Sequence, residues 1–264
     1  MAGCMAYYLF KEGNTEYKTK GSQFLLEAAK ANISIKWLSG LPKKIFAVQD
    51  EIEEDDFFFD CIERMEKVFL SASTLQKFEK QIKAVIDDLQ SANGIAFERG
   101  HQKLGELLGY ISENPSTSGS PDPYWIINED NIIVAEDKIY EEKNPVKAVP
   151  INAVTESGRH PKWITEYEKN ISKKACIYNI MITNSKSIAE DTGIYAEDIY
   201  YVQRDEFVKW AIKALDGVRY AYKLFHVEGD MEWRNAIHQK FVQAEITPKK
   251  YTEFISRQKL KDLY

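Results

Sequence analysis

The spacing of apolar residues changes along the chain between a helical period and a strand-like pattern, and the two predict different elements. Apolar residues that recur every three or four positions indicate amphipathic helices. They predict helices over 22–31, 61–70, 75–89, 95–111, 161–167, 206–224 and 231–263. Compact runs of β-branched and aromatic residues indicate strands. They predict strands over 124–127, 132–140, 175–183 and 198–202.

This order of elements predicts an α/β protein with a mixed sheet core flanked by helices. The turn-forming residues 91–94 precede the segment that holds all of the predicted strands. We therefore predict three parts: a helical N-terminal region over 1–92, a sheet-bearing domain over 93–226 and a helical C-terminal extension over 227–264.

Composition narrows the class of protein. The formal charge of −6 argues against a protein that coats nucleic acid, although a local basic groove remains compatible with it. Cys4, Cys61 and Cys176 are isolated, which fits neither a disulfide framework nor a zinc site and indicates a reducing compartment. No apolar run approaches the roughly 18 residues that cross a bilayer, and the N-terminus lacks a signal-peptide pattern. We therefore expect a cytoplasmic protein without membrane segments.

An acidic run lies ahead of the predicted sheet domain. Residues 50–60 contain seven acidic side chains around three consecutive phenylalanines. Such a run can mimic a phosphate backbone or bind a basic partner, but it is more often the solvated face of a helix.

The strand predicted over 132–140 carries charges where burial is expected. Its first four residues are apolar on both faces, which is typical of a strand buried on both sides. Glu136, Asp137 and Lys138 follow, and strand alternation places Glu136 and Lys138 on one face and Asp137 on the other. Charges at the end of a buried strand are costly unless they are paired or bind a metal. This cost is the first sign of a functional site.

The helix predicted over 95–111 adds a further carboxylate. Glu98 shares a helical stripe with Gly105 and Gly109, and glycines one turn apart suggest that the sheet packs closely there. Glu98 would be poorly solvated on such a stripe. Alternatively, it lies at the edge of the contact and reaches solvent.

Asp122, Glu98 and Glu136 are three carboxylates that one helix and two strands could bring together beside Lys138. Carboxylate oxygens, together with waters and substrate phosphate, are the ligands that Mg²⁺ prefers. Such an ion stabilises charge at a phosphate and lowers the pKa of its bound water. Lys138 could position or deprotonate that water, because the pKa of a lysine falls readily on burial.

Strand pairing presents a geometric difficulty. A four-residue turn at 128–131 would set Asp122 opposite Asp137 instead of Glu136. A shared metal site then needs a three- or five-residue loop, or a bulge near Pro123.

Several short motifs around these residues resemble those of one nuclease superfamily. They are Phe97-Glu98-Arg99-Gly100, Leu104-Gly105-Glu106-Leu107-Leu108-Gly109, Pro121-Asp122, Glu136-Asp137-Lys138 and His160-Pro161-Lys162-Trp163. Together they resemble the PD-(D/E)XK core, the restriction-endonuclease-like fold, over roughly residues 93–215. The pattern is similar to nuclease domains of bacterial defence systems and of some helicase-like proteins.

The resemblance implies metal-dependent hydrolysis of DNA phosphodiesters, with Mg²⁺ or Mn²⁺ as cofactor. It makes Asp122, Glu136 and the main-chain carbonyl of Asp137 metal ligands. Glu98 would be a further ligand or would hold a metal-bound water, and Lys138 would be the catalytic lysine. Two departures stand out: the family usually has a small or apolar residue at the position of Asp137, and its following helix often offers a glutamine. This chain has no glutamine between 103 and 203, so one of four other residues would serve: Thr155, Glu156, Arg159 or His160.

Basic side chains near these motifs are the candidates for holding DNA. They are Arg99, Lys103, Arg159, His160 and Lys162, with Lys173, Lys174 and Lys186 as further phosphate donors. His101 is expected to be packed or on the helix surface, and Tyr124 and Trp125 to be core residues although either could stack on bases. A helicase, an ATPase or another defence-system subunit is a possible partner, and so is a second copy of the chain. The alternative function is a non-catalytic module of the same fold that binds DNA or a protein partner.

Overall fold

The computed structural model describes residues 56–140 and 147–263. The predicted helix over 22–31 and most of the acidic run at 50–60 lie outside the described residues. Eight α-helices and five strands make up the described chain. The helices are α1 (Asp56–Ser71), α2 (Leu75–Gln90), α3 (Gly94–Leu107), α4 (Ile151–Ser157), α5 (His160–Tyr167), α6 (Arg204–Leu224), α7 (Met231–Gln243) and α8 (Pro248–Ile255). The strands are β1 (Ile111–Glu113), β2 (Tyr124–Asn128), β3 (Asn131–Lys138), β4 (Cys176–Thr183) and β5 (Tyr200–Gln203).

The five strands form one mixed sheet in the order β1-β2-β3-β4-β5. β1, β2 and β3 pair antiparallel, whereas β3, β4 and β5 pair parallel. Helices α4 and α5 lie in the connection between the parallel strands β3 and β4, because parallel neighbours need a crossover. The predicted mixed α/β sheet flanked by helices is confirmed at this level.

The sheet separates two layers of helices. On one face, Ile133 and Ala135 of β3 join the main core, which also contains residues of α1, α2, α3, α6, α7 and α8. On the opposite face, Ile132 and Val134 pack against Ile164 of α5, and α4 covers the neighbouring strands β4 and β5. β3 is therefore buried on both faces, as its apolar start predicts.

The main core contains residues from all three predicted parts of the chain. Phe58 of α1, Phe97 of α3 and Phe241 of α7 are all buried in it. None of the helices within 56–140 and 147–263 is long and apolar enough to cross a membrane.

Helix α3 ends earlier than its periodicity predicts, and the reason lies at Gly109. Gly109 follows the helix with a φ of +74°, a left-handed conformation that favours glycine and ends helices. A Cβ at this position would lie 2.0 Å from the carbonyl oxygen of Cys61 in α1. At Gly105, a Cβ would lie 2.4 Å from the indole nitrogen of Trp125. The predicted close contact with the sheet therefore holds at Gly105, while Gly109 approaches α1 and releases the chain into β1.

Candidate functional site

A bulge in the β2–β3 hairpin sets the register of the candidate site. Next to the turn, Asn128 pairs with Asn131, but further along the hairpin Ile126 pairs with Ile132. Strand β2 thus has one additional residue, Ile127, between the two pairs. A bulge of this kind shifts every later pair by one position.

This shift brings Asp122 and Glu136, the two candidate metal ligands of the hairpin, to the same position along the strands. Asp122 lies opposite Glu136 instead of Asp137 when the observed pairing is continued. Backbone hydrogen bonds carry this register as far as Pro123, because Ala135 N–H donates to the Pro123 carbonyl (2.9 Å). Asp122 N–H also bonds to Ala135, at its carbonyl oxygen (2.8 Å), so Asp122 and Pro123 both contact the same residue of β3. A bulge that the predicted site needs is therefore present at the turn end of β2, and the pairing is irregular near Pro123 as well, where Asp122 and Pro123 both bond to Ala135.

Glu136 is buried, and both of its carboxylate oxygens are engaged. Oε2 lies 2.6 Å from Nε2 of His160, and Oε1 forms an ion pair with the Lys138 ammonium. Burial alone would raise the pKa of Glu136, but the His160 hydrogen bond and the Lys138 charge outweigh it and hold the pKa below its ordinary value. Glu136 is thus a stabilised anion at the end of β3.

His160 holds Glu136 from the start of α5. Its side chain is fully buried, and its second ring nitrogen, Nδ1, lies 3.2 Å from the Gly119 carbonyl oxygen. A carbonyl oxygen and an ionised carboxylate both only accept, so Nδ1 donates to Gly119 and Nε2 donates to Glu136 in these two contacts. The sequence places His160 among the DNA-binding residues, whereas the structure directs it inward to Glu136. Pro161 marks the start of the helix, but the direction of the ring depends on how α5 packs on the sheet.

Asp122 lies where negative charge accumulates. Its side chain is partly buried, and burial together with Glu136 and Glu98 raises its pKa to about 7, against the opposing effect of Lys138 and His160. Burial and the charges of Asp137 and Glu136 likewise raise the pKa of Glu98, against the opposing effect of Lys138 and an Asn114 hydrogen bond. The three carboxylates named by the sequence therefore act on one another electrostatically, and a bound cation would relieve their repulsion.

Asp137 points away from this cluster, as strand alternation predicts. Its carboxylate oxygens lie 2.9 and 3.2 Å from Nδ1 of His101 in α3. Both side chains are buried in the main-core layer. Burial raises the pKa of Asp137 well above its ordinary value and lowers the pKa of His101 to about 3, so the environment favours the neutral form of each group. His101 is packed, and its partner could not be read from the sequence.

The donor set fits a hard cation by chemistry, but the side chains do not form a ready-made cage. Within residues 56–140 and 147–263, no three His, Cys, Asp or Glu side chains are grouped so that they could hold a metal ion. The ammonium of Lys138 already balances Glu136. Mg²⁺ needs only one or two carboxylates plus waters and substrate oxygens, so Asp122 and Glu136 supply suitable protein ligands.

The predicted DNA-binding cations are spread over the surface. Arg159 is exposed, and so are Lys173, Lys174 and Lys186. Three other cations form ion pairs on their own or neighbouring helices: Arg99 with Asp88, Lys103 with Glu106 and Lys162 with Glu166. Surface pairs of this kind contribute little to stability, so a polyanion could compete for these cations.

Comparison of this chain with protein-family models, with curated proteins and with solved structures finds no match. The structure itself defines a mixed α/β protein with a partly buried, acidic cluster at the C-terminal end of β3. Any function must therefore be argued from the geometry and charge of that cluster.

Replacing His160 with Ala is expected to lower the free energy of unfolding by about 3 kcal/mol at pH 7, because it removes one partner of a buried pair. The pKa of Glu136 is depressed in the folded state, so its stabilising contribution is present above its ordinary pKa of 4.5 and is lost as pH falls. The loss in the variant should therefore shrink in acid. Urea unfolding at pH 7 and pH 4 measures it. If His160→Ala lowers the free energy of unfolding equally in wild type and in Glu136→Gln, the two residues are not coupled.

Proposed function

We propose that this chain is a metal-dependent endonuclease of the PD-(D/E)XK, restriction-endonuclease-like class, and that it hydrolyses DNA phosphodiester bonds in a bacterial defence or DNA-processing system. One observation carries the proposal: the bulged hairpin sets Asp122 opposite Glu136, with Lys138 bound to Glu136 at the same end of β3. The sequence motifs support it independently, because they name these residues without reference to the bulge.

Asp122 and Glu136 would hold a Mg²⁺ or Mn²⁺ ion, with the main-chain carbonyl of Asp137 as a further ligand and Glu98 near a bound water. A divalent ion at this position stabilises negative charge on a phosphate and lowers the pKa of its water. The charge distribution supports this assignment, since the raised pKa values of Asp122 and Glu98 report uncompensated negative charge. His160 orients Glu136 through the 2.6 Å contact and keeps this ligand ionised.

Lys138 serves as a cation. Burial would lower its pKa, as expected from sequence, but Glu136 and Asp122 raise the pKa above its ordinary value. The side chain is 29% exposed, so it can reach a phosphate outside the cluster. Lys138 therefore donates hydrogen bonds to phosphate oxygens or to the attacking water, and it does not act as the general base.

A second candidate is a non-catalytic module that binds DNA or a protein partner through the same fold. Two observations favour it: Lys138 forms an ion pair with Glu136, and the described residues contain no three-ligand metal group. The acidic balance of the chain also fits an interaction protein. A helicase, an ATPase or another defence subunit is the kind of partner that this candidate requires.

Cleavage assays separate the two candidates. Plasmid and single-stranded DNA are incubated with wild type, Asp122→Ala and Asp130→Ala in Mg²⁺, Mn²⁺ or EDTA. Asp130 is an exposed acid in the hairpin turn, which makes it a matched control. Metal-dependent cleavage by wild type and the control, but not by Asp122→Ala, is the expected result. Binding without cleavage supports the module, and cleavage of RNA alone would replace DNA as the substrate.

A further inference from the structure

A buried hydrogen-bonded pair connects helix α3 to the back of β3, directly behind the acidic cluster. The carboxylate of Asp137 contacts Nδ1 of His101 at 2.9 Å, and the side chains are 0% and 1% exposed respectively. Asp137 follows Glu136 in β3, and Glu98 lies three residues, about one helical turn, before His101 in α3. One contact thus links the strand that supplies Glu136 to the helix that supplies Glu98.

This pair is a costly way to achieve packing alone. The His101 ring already packs edge-on against Trp125 at 4.7 Å and Phe207 at 4.8 Å, measured between ring centroids. Apolar residues of similar volume would fill the space without desolvating two polar groups, and such replacements are often neutral or stabilising. What apolar packing does not supply is a directional link, because a hydrogen bond fixes both distance and angle.

The position of Glu98 depends on how α3 is placed. Its side chain is only partly buried, and the charges of Asp137, Lys138 and Glu136 all act on it. The packing of a helix through ridges and grooves tolerates small shifts. Ligands at a metal need closer placement. The adjacent Phe97 is held by apolar packing in the main core, and the hydrogen bond one turn from Glu98 adds a directional restraint to that packing.

We propose that His101 and Asp137 are positioning residues: their hydrogen bond fixes α3 against β3 and thereby sets the position of Glu98 relative to Asp122 and Glu136. The consequence for metal binding rests on the proposed function, whereas the placement of Glu98 does not. Contacts that orient metal ligands from behind typically change metal affinity by about 10–100-fold when they are removed.

The test combines Mn²⁺ titration with crystallography on the full chain. The variant carries His101→Leu and Asp137→Val together, so that no buried polar group loses its partner. We expect it to fold, to bind Mn²⁺ at least about tenfold more weakly by calorimetry, and to show Glu98 displaced from Glu136 in the metal-free crystal. Asp137→Asn keeps a hydrogen-bonding side chain and should recover a substantial part of that affinity. Ile182→Val is the matched control, because Ile182 is buried on the same face of the sheet and pairs with Asp137 in the register.

The outcomes remain distinguishable. If the double variant binds Mn²⁺ as wild type does and Glu98 is not displaced, the positioning role is wrong. If Ile182→Val weakens Mn²⁺ binding as much as the double variant, the effect is general loosening of the sheet, which also overturns the proposal. If wild type itself does not bind Mn²⁺, the nuclease proposal fails, and the position of Glu98 in the variant crystal still decides the placement of α3.

Discussion

Replacing Asp122 with Asn is expected to abolish metal-dependent cleavage and, at the same time, to stabilise the metal-free protein above neutral pH. The first effect follows if Asp122 is a ligand of the ion, whose contribution of several kcal/mol corresponds to about a thousandfold in rate. The second follows from the burial of Asp122 and its crowding by Glu136 and Glu98, which together raise its pKa from 3.8 to about 7.

The sign of the stability effect is fixed by this raised pKa. A folded state that binds the proton more tightly than the unfolded state loses stability as pH rises from the unfolded pKa to the folded one. For Asp122 the loss accumulates between about pH 4 and pH 7 and is constant at higher pH. Asn carries no charge, so the stability of the variant does not decrease in this way. The difference between its thermal midpoint and that of wild type should therefore rise from pH 4 to pH 8.

Thermal unfolding in EDTA at pH 4, 6 and 8 measures the effect, with Asp130→Asn as the control. Asp130 is exposed in the turn, so its replacement should leave the pH dependence unchanged. A midpoint for Asp122→Asn that runs parallel to wild type at all three pH values would show that Asp122 is not crowded. A site that gives up stability for function is expected to show both effects together.

Replacing Glu66 with Ala is expected to produce the largest loss of stability outside the cluster, about 3–5 kcal/mol. Glu66 in α1 is fully buried and binds Arg234 of α7 in a two-pronged pair, with Nε–Oε1 at 2.8 Å and Nη2–Oε2 at 2.6 Å. Its removal takes the two-pronged partner from the buried Arg234 guanidinium. The partly exposed Glu63 still pairs with Arg234 at 3.3 Å. Folded domains are stable by only about 5–15 kcal/mol, so this is a large fraction of the total.

Urea unfolding of Glu66→Ala and of Glu79→Ala makes the comparison. Glu79 forms an ion pair with Arg219 at 3.1 Å, but its side chain is 38% exposed, so its loss should be less than about 1 kcal/mol. Because α1 and α7 also share the main core with the sheet, the variant should still unfold in one transition. A separate early transition would mean that the helices before the sheet domain and after it fold independently of it.

The elements were predictable where a periodic pattern extends over many residues. Helix α2 and strand β3 agree with the predicted spans to within two residues at each end, because their patterns run over 16 and 8 residues. Strand β1 was missed, since three residues are too few to show a pattern. Gly109 ends helix α3 just before β1 through its positive φ, which the sequence alone does not show. The C-terminal region divides into α7 and α8, with Glu245 at a φ of +51° between them.

The candidate residues were found because charge in a buried strand is costly, and that cost is visible within a few residues of sequence. The contacts that bring these residues together depend on segments far apart in the sequence. The bulge at Ile127 has no composition signal, yet it decides whether Asp122 faces Glu136 or Asp137. The inward direction of His160 depends on helix packing, and the raised pKa of Lys138 depends on Glu136 in β3 and on Asp122 just before β2. Sequence therefore names the chemical groups, and the packing assigns their roles.

The most direct test of the proposed metal site is anomalous diffraction from a crystal of the wild-type chain soaked in Mn²⁺. A single peak within coordination distance of the Asp122 and Glu136 carboxylates is expected, with the Lys138 ammonium moved off Glu136. A map with no peak there, in which Lys138 still neutralises Glu136, would contradict the metal site and leave a binding module in its place.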